Sequence, residues 1–317
     1  MSTARSDGRR PEAPEGPSTG GLNRTADRPH SPTQLALRRL AGNRTAMGAL
    51  AIILVFALLA LFAPIIAPHD PADADLFRRL CAPAWAGENT EPGYLLGCDG
   101  LGRDILSRLI HGARVSLSVA ALVVGIAAVI GTLAGLAAGY LRGWVDTVIS
   151  RLVDTLLGFP YLVFAIGLMA MMGPGLHNIV LALVLKEWVF TCRVVRGETL
   201  AAREQDYVEA ARALGCSPRH IMLREILPNV LSPVLVVATF RMAYVIIMEA
   251  SLSFLGLGVQ PPTPSWGSMV ADGRDFLVDA WWVSTLPGLC ILALVLSINL
   301  ASQGMRDAFD PRLHQSS

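Results

Sequence analysis

Four ionisable residues stand inside long apolar stretches of this chain, where a charge is costly and therefore indicates a function. Lys186 and Glu187 are adjacent, and Arg241 and Glu249 follow in a later apolar run. Neighbouring helical residues point to different faces, so Lys186 and Glu187 are not expected to pair with each other. For these two we favour a contact with another subunit or a water-filled path. Structural pairing with Arg241 or Glu249 is the alternative.

Glu249 lies near the outer end of its apolar run, where it can cap the helix or pair with Arg241 two turns earlier. We favour stabilisation of that helix end over contact with a substrate.

The composition shows why these charges stand out. Only 16% of the 317 residues are charged, against about 25% in soluble domains, and the mean hydropathy is +0.49. A soluble protein of this composition would lack polar surface. Residues 1–45 differ, because they are rich in Pro, Gly, Ser, Thr and Arg, and we predict a disordered tail there. The first apolar run begins only at Ala46, so no cleavable secretory signal is predicted.

The apolar runs predict an all-α integral membrane protein with six transmembrane helices, because each run can cross the hydrocarbon core. The predicted spans are Ala46–Ala67, Val115–Leu141, the two parts of Thr155–Leu185, Asn229–Ser251 and Ala280–Met305. Gly173-Pro174-Gly175 divides the third run as a tight hairpin, and the fourth span continues to about Val195. The predicted order is a tail (1–45), a first span (46–67), an external loop (68–114), a five-span core (115–305) and a second tail (306–317).

Arginine placement orients the spans. Arginines concentrate before the first span, between spans 2 and 3, between spans 4 and 5, and after span 6. By the positive-inside rule, these segments and both termini are predicted to be cytoplasmic. Five arginines in 68–114 oppose this orientation, but a loop of that length tolerates them. An odd number of spans would place the arginine-rich segment 196–229 outside, so six spans are kept.

Two features within the spans predict how the helices pack. Gly131, Gly135 and Gly139 recur at four-residue spacing, which lets helix backbones approach closely in a membrane. Bundle packing is preferred here to a pore-lining role. Pro160 removes a backbone donor, so we expect a kink with a packed neighbour beside the freed carbonyl.

Cys81 and Cys98 both lie in the predicted external loop, on the oxidising side of the membrane. We predict a disulfide that closes a loop of about 18 residues and stabilises the fold by roughly 3 kcal/mol. Unpaired thiols are the alternative, and mass spectrometry after alkylation without reductant separates the two. The other cysteines are expected to be ordinary apolar residues. No Cys/His spacing predicts a metal site.

The segment 196–229 contains a predicted helical protrusion, here called the knob (residues 206–227). Asp206–Gly215 is typical of a short helix that ends at a glycine. Ser217 and Pro218 then begin a second helix, which is expected to end at Pro228. Such a knob could be a domain stub, a lipid-surface helix or a docking element. Small alanines at the centre of the first helix favour docking to another protein over a lipid surface.

The knob also resembles a motif of a known transporter family. Glu209-Ala210-Ala211, three residues and Gly215, followed by Leu227-Pro228, is similar to the "EAA" loop of binding-protein-dependent ABC importers. In that family the loop supplies a coupling helix that sits in a groove of the ATPase subunit. The resemblance therefore implies that Glu209, Ala210, Ala211 and Gly215 couple this chain to an ATPase.

The resemblance covers about residues 35–313 and is closest to the C-type half of the dipeptide, oligopeptide and nickel permeases. Further segments carry it: Leu96–Asp104, Gly143–Asp146, Glu249–Gly256, Pro261–Gly267 and Arg306–Arg312. Glu225 departs from the family's usual apolar residue, although the peptide branch commonly has a polar one there. The resemblance implies a type I importer-like fold in the inner membrane, import of peptides by alternating access, and no cofactor. It implies as partners a homologous second permease, two ABC ATPase subunits and an extracytoplasmic solute-binding protein.

The chain is not expected to be the motor of such a transporter. A P-loop needs Gly-Lys-Ser/Thr to hold phosphates, and the only lysine, Lys186, follows Leu185. We predict a non-catalytic subunit whose partners hydrolyse ATP. The alternatives are a secondary transporter driven by an ion gradient, or the same ABC architecture carrying nickel or another small solute. Lys186, Glu187, Arg241 and Glu249 are the candidates for the translocation pathway.

Overall fold

The computed structural model describes residues 41–309, and every regular element in that range is a helix. The helices are α1 (Arg44–Leu61), α2 (Ala63–Ile66), α3 (Ile105–Leu141), α4 (Gly143–Gly158), α5 (Tyr161–Met172), α6 (Leu176–Arg203), α7 (Asp206–Ala213), α8 (Pro218–Phe254), α9 (Trp266–Gly273) and α10 (Trp282–Phe309), with short 3₁₀ turns at Leu76–Arg78 and Arg274–Phe276. The disorder predicted for residues 1–40 and the structure of residues 310–317 lie outside the described residues. The predicted tail extended too far, because residues 41–45 are mostly helical and α1 begins at Arg44.

Long apolar helices account for most of the fold. Helices α1, α3, α8 and α10 are long and apolar enough to cross a membrane, and the bent pair α4–α5 makes a fifth candidate. Helix α6 has 28 residues, which is sufficient length at about 1.5 Å per residue, although it carries more charge. Length and composition thus give four spans, or five with the bent pair, and the six spans of the sequence analysis stay a prediction that requires α6 to cross as well.

Helix α3 is longer than the uncharged run that predicted it. It begins at Ile105, inside the segment assigned to the external loop. Asp104 caps it, because this carboxylate accepts hydrogen bonds from the Ser107 N–H at 3.0 Å and the Ser107 hydroxyl at 2.6 Å. The first turns of α3 therefore belong to the same compact region as the preceding loop.

That loop is tied to the far end of the chain. Cys81 and Cys98 are bonded, with an S–S distance of 2.10 Å, and the Trp282 indole N–H donates to the Cys98 carbonyl at 3.4 Å. Arg103 lies 3.7 Å from Asp272 of α9. The bridge in protein isolated from cells stays a prediction, and the alkylation experiment tests it.

The glycine stripe of α3 packs against α6, which confirms the predicted bundle packing. A Cβ atom at Gly131, Gly135 or Gly139 would lie 2.6–2.7 Å from atoms of α6. Two of the atoms met in this way are backbone carbonyl oxygens, which cannot turn aside. Glycine at all three positions therefore sets the distance between these two central helices.

The third span is broken rather than merely kinked. Helix α4 stops at Gly158 and α5 starts at Tyr161, with an angle of 91° between them. Phe159 and Pro160, here called the elbow, both have extended backbone, with ψ angles of 133° and 135°. The predicted hairpin after α5 is confirmed, and both of its glycines have positive φ.

Candidate functional site

The first helix of the knob has the local structure that its sequence predicts. Helix α7 ends at Ala213, and Gly215 follows with φ of +79°, a conformation that favours glycine. Ser217 caps the next helix, since its hydroxyl accepts a hydrogen bond from the His220 N–H. The predicted helix–bend–helix is therefore confirmed.

The second helix does not end at Pro228, as the sequence analysis expected. It continues as α8 to Phe254 through a π-helical segment, Ile221–Ile226. In that segment the Leu227 N–H donates to the Met222 carbonyl, five residues earlier, so the wider turn accommodates a residue without an N–H. The Asn229 side chain also donates to the Glu225 carbonyl at 2.8 Å. The knob is thus continuous with a transmembrane helix.

One face of α7 is anchored in the protein. Val208 is fully buried and Ala211 is 8% exposed. They pack in a cluster with residues of α3, α6 and α8: Leu136, Tyr140, Val195, Ile221, Ile226, Val230 and Val234. Two guanidinium groups lie near the centre of the Tyr140 ring, that of Arg203 at 5.7 Å and that of Arg212 at 5.5 Å. Helix α7 is therefore in direct contact with the end of α3.

The opposite face of α7 is open. Glu209, Ala210 and Gly215 are exposed, and Leu214 at the tip is 84% exposed. Of the four residues predicted to couple the chain to an ATPase, three lie on this open surface and Ala211 faces inward. The sequence analysis did not identify Leu214 as a docking residue. Its position, directly before the glycine that ends the helix, could have indicated an exposed apolar residue at the tip.

Three of the four charges within the apolar runs lie close together. The Lys186 ammonium donates to the carbonyls of Leu156 and Phe159 at the elbow. Glu187 accepts two hydrogen bonds from the Arg241 guanidinium, one of them at 2.8 Å. Lys186 and Glu187 are 2% and 1% exposed. We call these three residues the charged layer.

Aromatic side chains complete the charged layer. Tyr161 donates its hydroxyl hydrogen to Glu187 at 3.1 Å. The Arg241 guanidinium lies 3.9 Å from the centre of the Phe190 ring and 4.3 Å from that of Tyr244, within range of cation–π attraction. Of the alternatives for Glu187, the structure shows pairing with Arg241. The sequence analysis did not identify Tyr161.

Glu249 belongs to a different group. This buried carboxylate accepts hydrogen bonds from the hydroxyls of Ser116 at 3.0 Å and Ser253 at 2.8 Å. Pairing with Arg241, one of the two alternatives for Glu249, does not occur here, because the guanidinium is turned toward Glu187. Ser116 belongs to α3 and Ser253 to α8, so Glu249 joins these two helices. It is not part of the charged layer.

No group of three or more His, Cys, Asp or Glu residues suited to hold a metal ion occurs among residues 41–309. The knob offers an exposed surface, and the charged layer is a set of internally paired charges.

Two family descriptions match the sequence. Residues 131–315 match the binding-protein-dependent transport system inner membrane component. Residues 31–83 match the N-terminal transmembrane domain of oligopeptide transport permease C. The first match includes the glycine stripe, the elbow, the charged layer and the knob.

Curated relatives extend over nearly the whole chain. A di/tripeptide transport system permease of Pseudomonas aeruginosa is 43% identical over 89% of this chain and 93% of its own length. A dipeptide transport system permease of Haemophilus influenzae is 40% identical over 90% and 97%. A glutathione transport system permease of Pectobacterium atrosepticum is 39% identical over 87% and 90%.

Solved structures share the fold. The MetNI methionine ABC transporter in an inward-facing conformation aligns with a TM-score of 0.55 at 18% identity, over 64% of this chain and 97% of that one. An amino acid ABC transporter aligns with a TM-score of 0.50 at 19% identity, over 64% and 94%. Together with the sequence matches, these findings show that the chain belongs to the family of binding-protein-dependent transport system inner membrane components, the permeases of ABC importers.

Proposed function

We propose that this chain is a permease subunit of an ATP-driven importer that moves peptides across the inner membrane by alternating access. The observation that carries the proposal is the knob, with one face anchored beneath α3 and the other face open. The names of the relatives, which concern dipeptides, tripeptides and glutathione, support a small peptide as the transported solute.

The open face of α7 is the proposed docking surface for an ATPase subunit. Glu209 supplies a charge, Ala210 permits close approach, and the exposed Leu214 supplies an apolar contact. Gly215 holds the bend with its positive φ, and Ala211 seats the helix in the cluster around Tyr140. The ATPase activity resides in the partner, and this chain transmits the movement.

The complete transporter contains a homologous second permease, two ABC ATPase subunits and an extracytoplasmic solute-binding protein. The knob and both termini face the cytoplasm, in agreement with the distribution of arginines. The segment between α2 and α3 and the α9 region lie on the outer side, where they meet the binding protein.

The translocation path runs beside the elbow and the charged layer. Lys186 lies ten residues after the start of α6 at Leu176, or about 15 Å into a hydrocarbon core of about 30 Å. Lys186, Glu187 and Arg241 therefore stand at mid-depth, where importers of alternating access change the side to which they open. Glu249 lies outside the charged layer and stabilises the bundle beside the path by joining α3 and α8.

Reconstitution into liposomes tests the function. The complete complex, with its binding protein and internal ATP, is expected to accumulate a labelled dipeptide, and the chain without the ATPases is not. Accumulation by this chain alone would show an ion-driven carrier instead. Uptake of nickel ions without uptake of peptide would change the assigned solute and leave the proposed ABC architecture unchanged.

A further inference from the structure

The elbow leaves backbone carbonyls without helical partners at membrane depth. Pro160 has no N–H, so the carbonyl of Leu156, four residues earlier, cannot receive the bond that would continue the helix. The extended backbone of Phe159 and Pro160 opens the chain further. Non-helical backbone at such a depth is tolerated only where it is buried in protein or lines a water-filled cavity.

Lys186 meets this deficit with its side chain. An ammonium has three donors, and here it donates to Leu156 and Phe159, the carbonyls on the two sides of Gly158. The carboxylate beside it on α6 is bound to Arg241. The positive charge of Lys186 is therefore matched by carbonyl dipoles at the end of α4, which is also the favourable end of a helix for a cation.

Adjacent residues of α6 hold the two arms of the elbow. Lys186 holds the end of α4, whereas Glu187 holds Tyr161, the first residue of α5. The corner between them is open, since the Phe159 side chain is 52% exposed. The angle between the arms is thus set by polar contacts, which can be exchanged, rather than by a continuous helix.

The two arms are attached to different parts of α6. Helix α4 is bound to the half of α6 that leads to the knob, through Asp146 and Arg196 at 2.6 and 2.8 Å and Asp154 and Arg193 at 3.1 Å. Helix α5 joins the other half through the hairpin at 173–175. A movement of the knob would therefore reach α4 first and change the angle at the elbow.

We propose that the elbow is a hinge of the transport cycle, and that Lys186 is the positioning residue that supplies the donor Pro160 removes. The inference rests on the proposed transport function and identifies a point at which the chain bends during transport. It also accounts for the chain's single lysine in the middle of a span.

A double-mutant cycle with Lys186→Met and Pro160→Ala tests the positioning role. The variants are made in the complete complex, and thermal unfolding of the purified complex is measured. Lys186→Met is expected to lower the midpoint by about 3–10 °C, and by less than half of that in the Pro160→Ala background, because the introduced alanine supplies an N–H for the Leu156 carbonyl. Lys186→Arg keeps a donor and is expected to keep the midpoint. Equal losses in both backgrounds would overturn the assignment.

Uptake tests the hinge. Pro160→Ala allows the helix to continue through the corner and is expected to reduce ATP-driven dipeptide uptake by about tenfold or more, with ATP hydrolysis and the amount of complex unchanged. Full uptake in this variant would overturn the hinge. If Lys186→Met does not accumulate in membranes, its recovery by Pro160→Ala supports the pairing, and no recovery contradicts it. Failure of the unaltered complex to move peptides would refute the function, while the stability cycle still decides the role of Lys186.

Discussion

The knob and the charged layer are both polar regions of an apolar chain, but they are built in opposite ways. In the knob, Glu209 and Leu214 point away from the chain and one helix face is left open. In the charged layer, Lys186 and Glu187 are enclosed and bound to groups of the same chain. Under the proposed function, the open surface of the knob serves other subunits, whereas the enclosed charges serve the internal geometry of this chain.

The comparison also refines what a charge in a membrane span means. By default such a residue indicates a transport function. Here Lys186 binds carbonyls that a broken helix leaves free, and Glu187 binds a guanidinium on a neighbouring helix. Each charge therefore has a structural partner within this chain. The charged layer has both a structural and a transport role only if the elbow moves during transport. Mutations in the knob and in the charged layer test this.

The largest effect is expected when the ion pair is broken. Arg241→Met leaves the Glu187 carboxylate enclosed without its counter-ion, which typically costs about 3–5 kcal/mol. The double variant Glu187→Gln, Arg241→Met removes both charges and is expected to be more stable than the single one. Thermal unfolding of the purified complex measures both.

Arg274→Met is the matched control for the ion pair, because its pair with Asp275 is exposed, with side chains 62% and 73% accessible. Little change is expected there. If Arg241→Met were as mild as this control, the charged layer would not be internally held and its contrast with the knob would be lost.

A smaller effect is expected where the two regions are joined, along the glycine stripe. Gly135→Val places side-chain atoms where a Cβ already lies 2.7 Å from the Cys192 carbonyl, and overpacking typically costs about 1–3 kcal/mol. Gly125→Val, on the same helix with open space around it, is the control. Equal unfolding midpoints for the two variants would show that α3 and α6 do not pack as described.

Much of the knob could be predicted because its signals are local. A glycine after a short helix, and serine before proline at the next helix start, act within a few residues of their own positions. The end of the second helix was predicted wrongly, since the π-helical turn before Pro228 has no comparably simple signal. The π-helical segment lets the helix continue through Pro228.

The charged layer was less predictable, because its partners are distant in sequence. Glu187 and Arg241 are 54 residues apart, and Lys186 is 30 residues from Leu156, whose carbonyl it binds. Spacing along α8 suggested that Arg241 pairs with Glu249, but α6 supplies the partner of Arg241, which is Glu187. The pairing of Glu187 with Arg241 was one of the alternatives, and the carbonyl freed by Pro160 was foreseeable. That Lys186 binds this carbonyl was not.

The bend of the knob should be more sensitive in function than in stability. Gly215→Val forces a β-branched residue into a positive φ, at a cost of about 1–2 kcal/mol. We expect uptake to be uncoupled from ATP hydrolysis while membrane insertion persists. Gly197→Val, at an exposed glycine of α6 with open space around it, is the control. Normal uptake by the Gly215 variant would count against the coupling role.

The smallest change in stability and a clear change in assembly are expected at Leu214. Its side chain is 84% exposed, so Leu214→Ser should alter the free energy of unfolding by no more than about 0.5 kcal/mol. Burial of a leucine in a partner contributes about 1.5–3 kcal/mol, so its loss should weaken binding of the ATPase subunit by about tenfold or more.

Leu277→Ser removes a leucine that is 51% exposed at the other end of the molecule and should leave this affinity unchanged. Titration of the permease with purified ATPase measures both, and equal affinities for the two variants would mean that the tip of the knob does not meet the ATPase. The contrast between the knob and the charged layer depends on an exposed apolar tip that binds a partner. That result would therefore contradict the interpretation of the knob as a docking surface for another subunit.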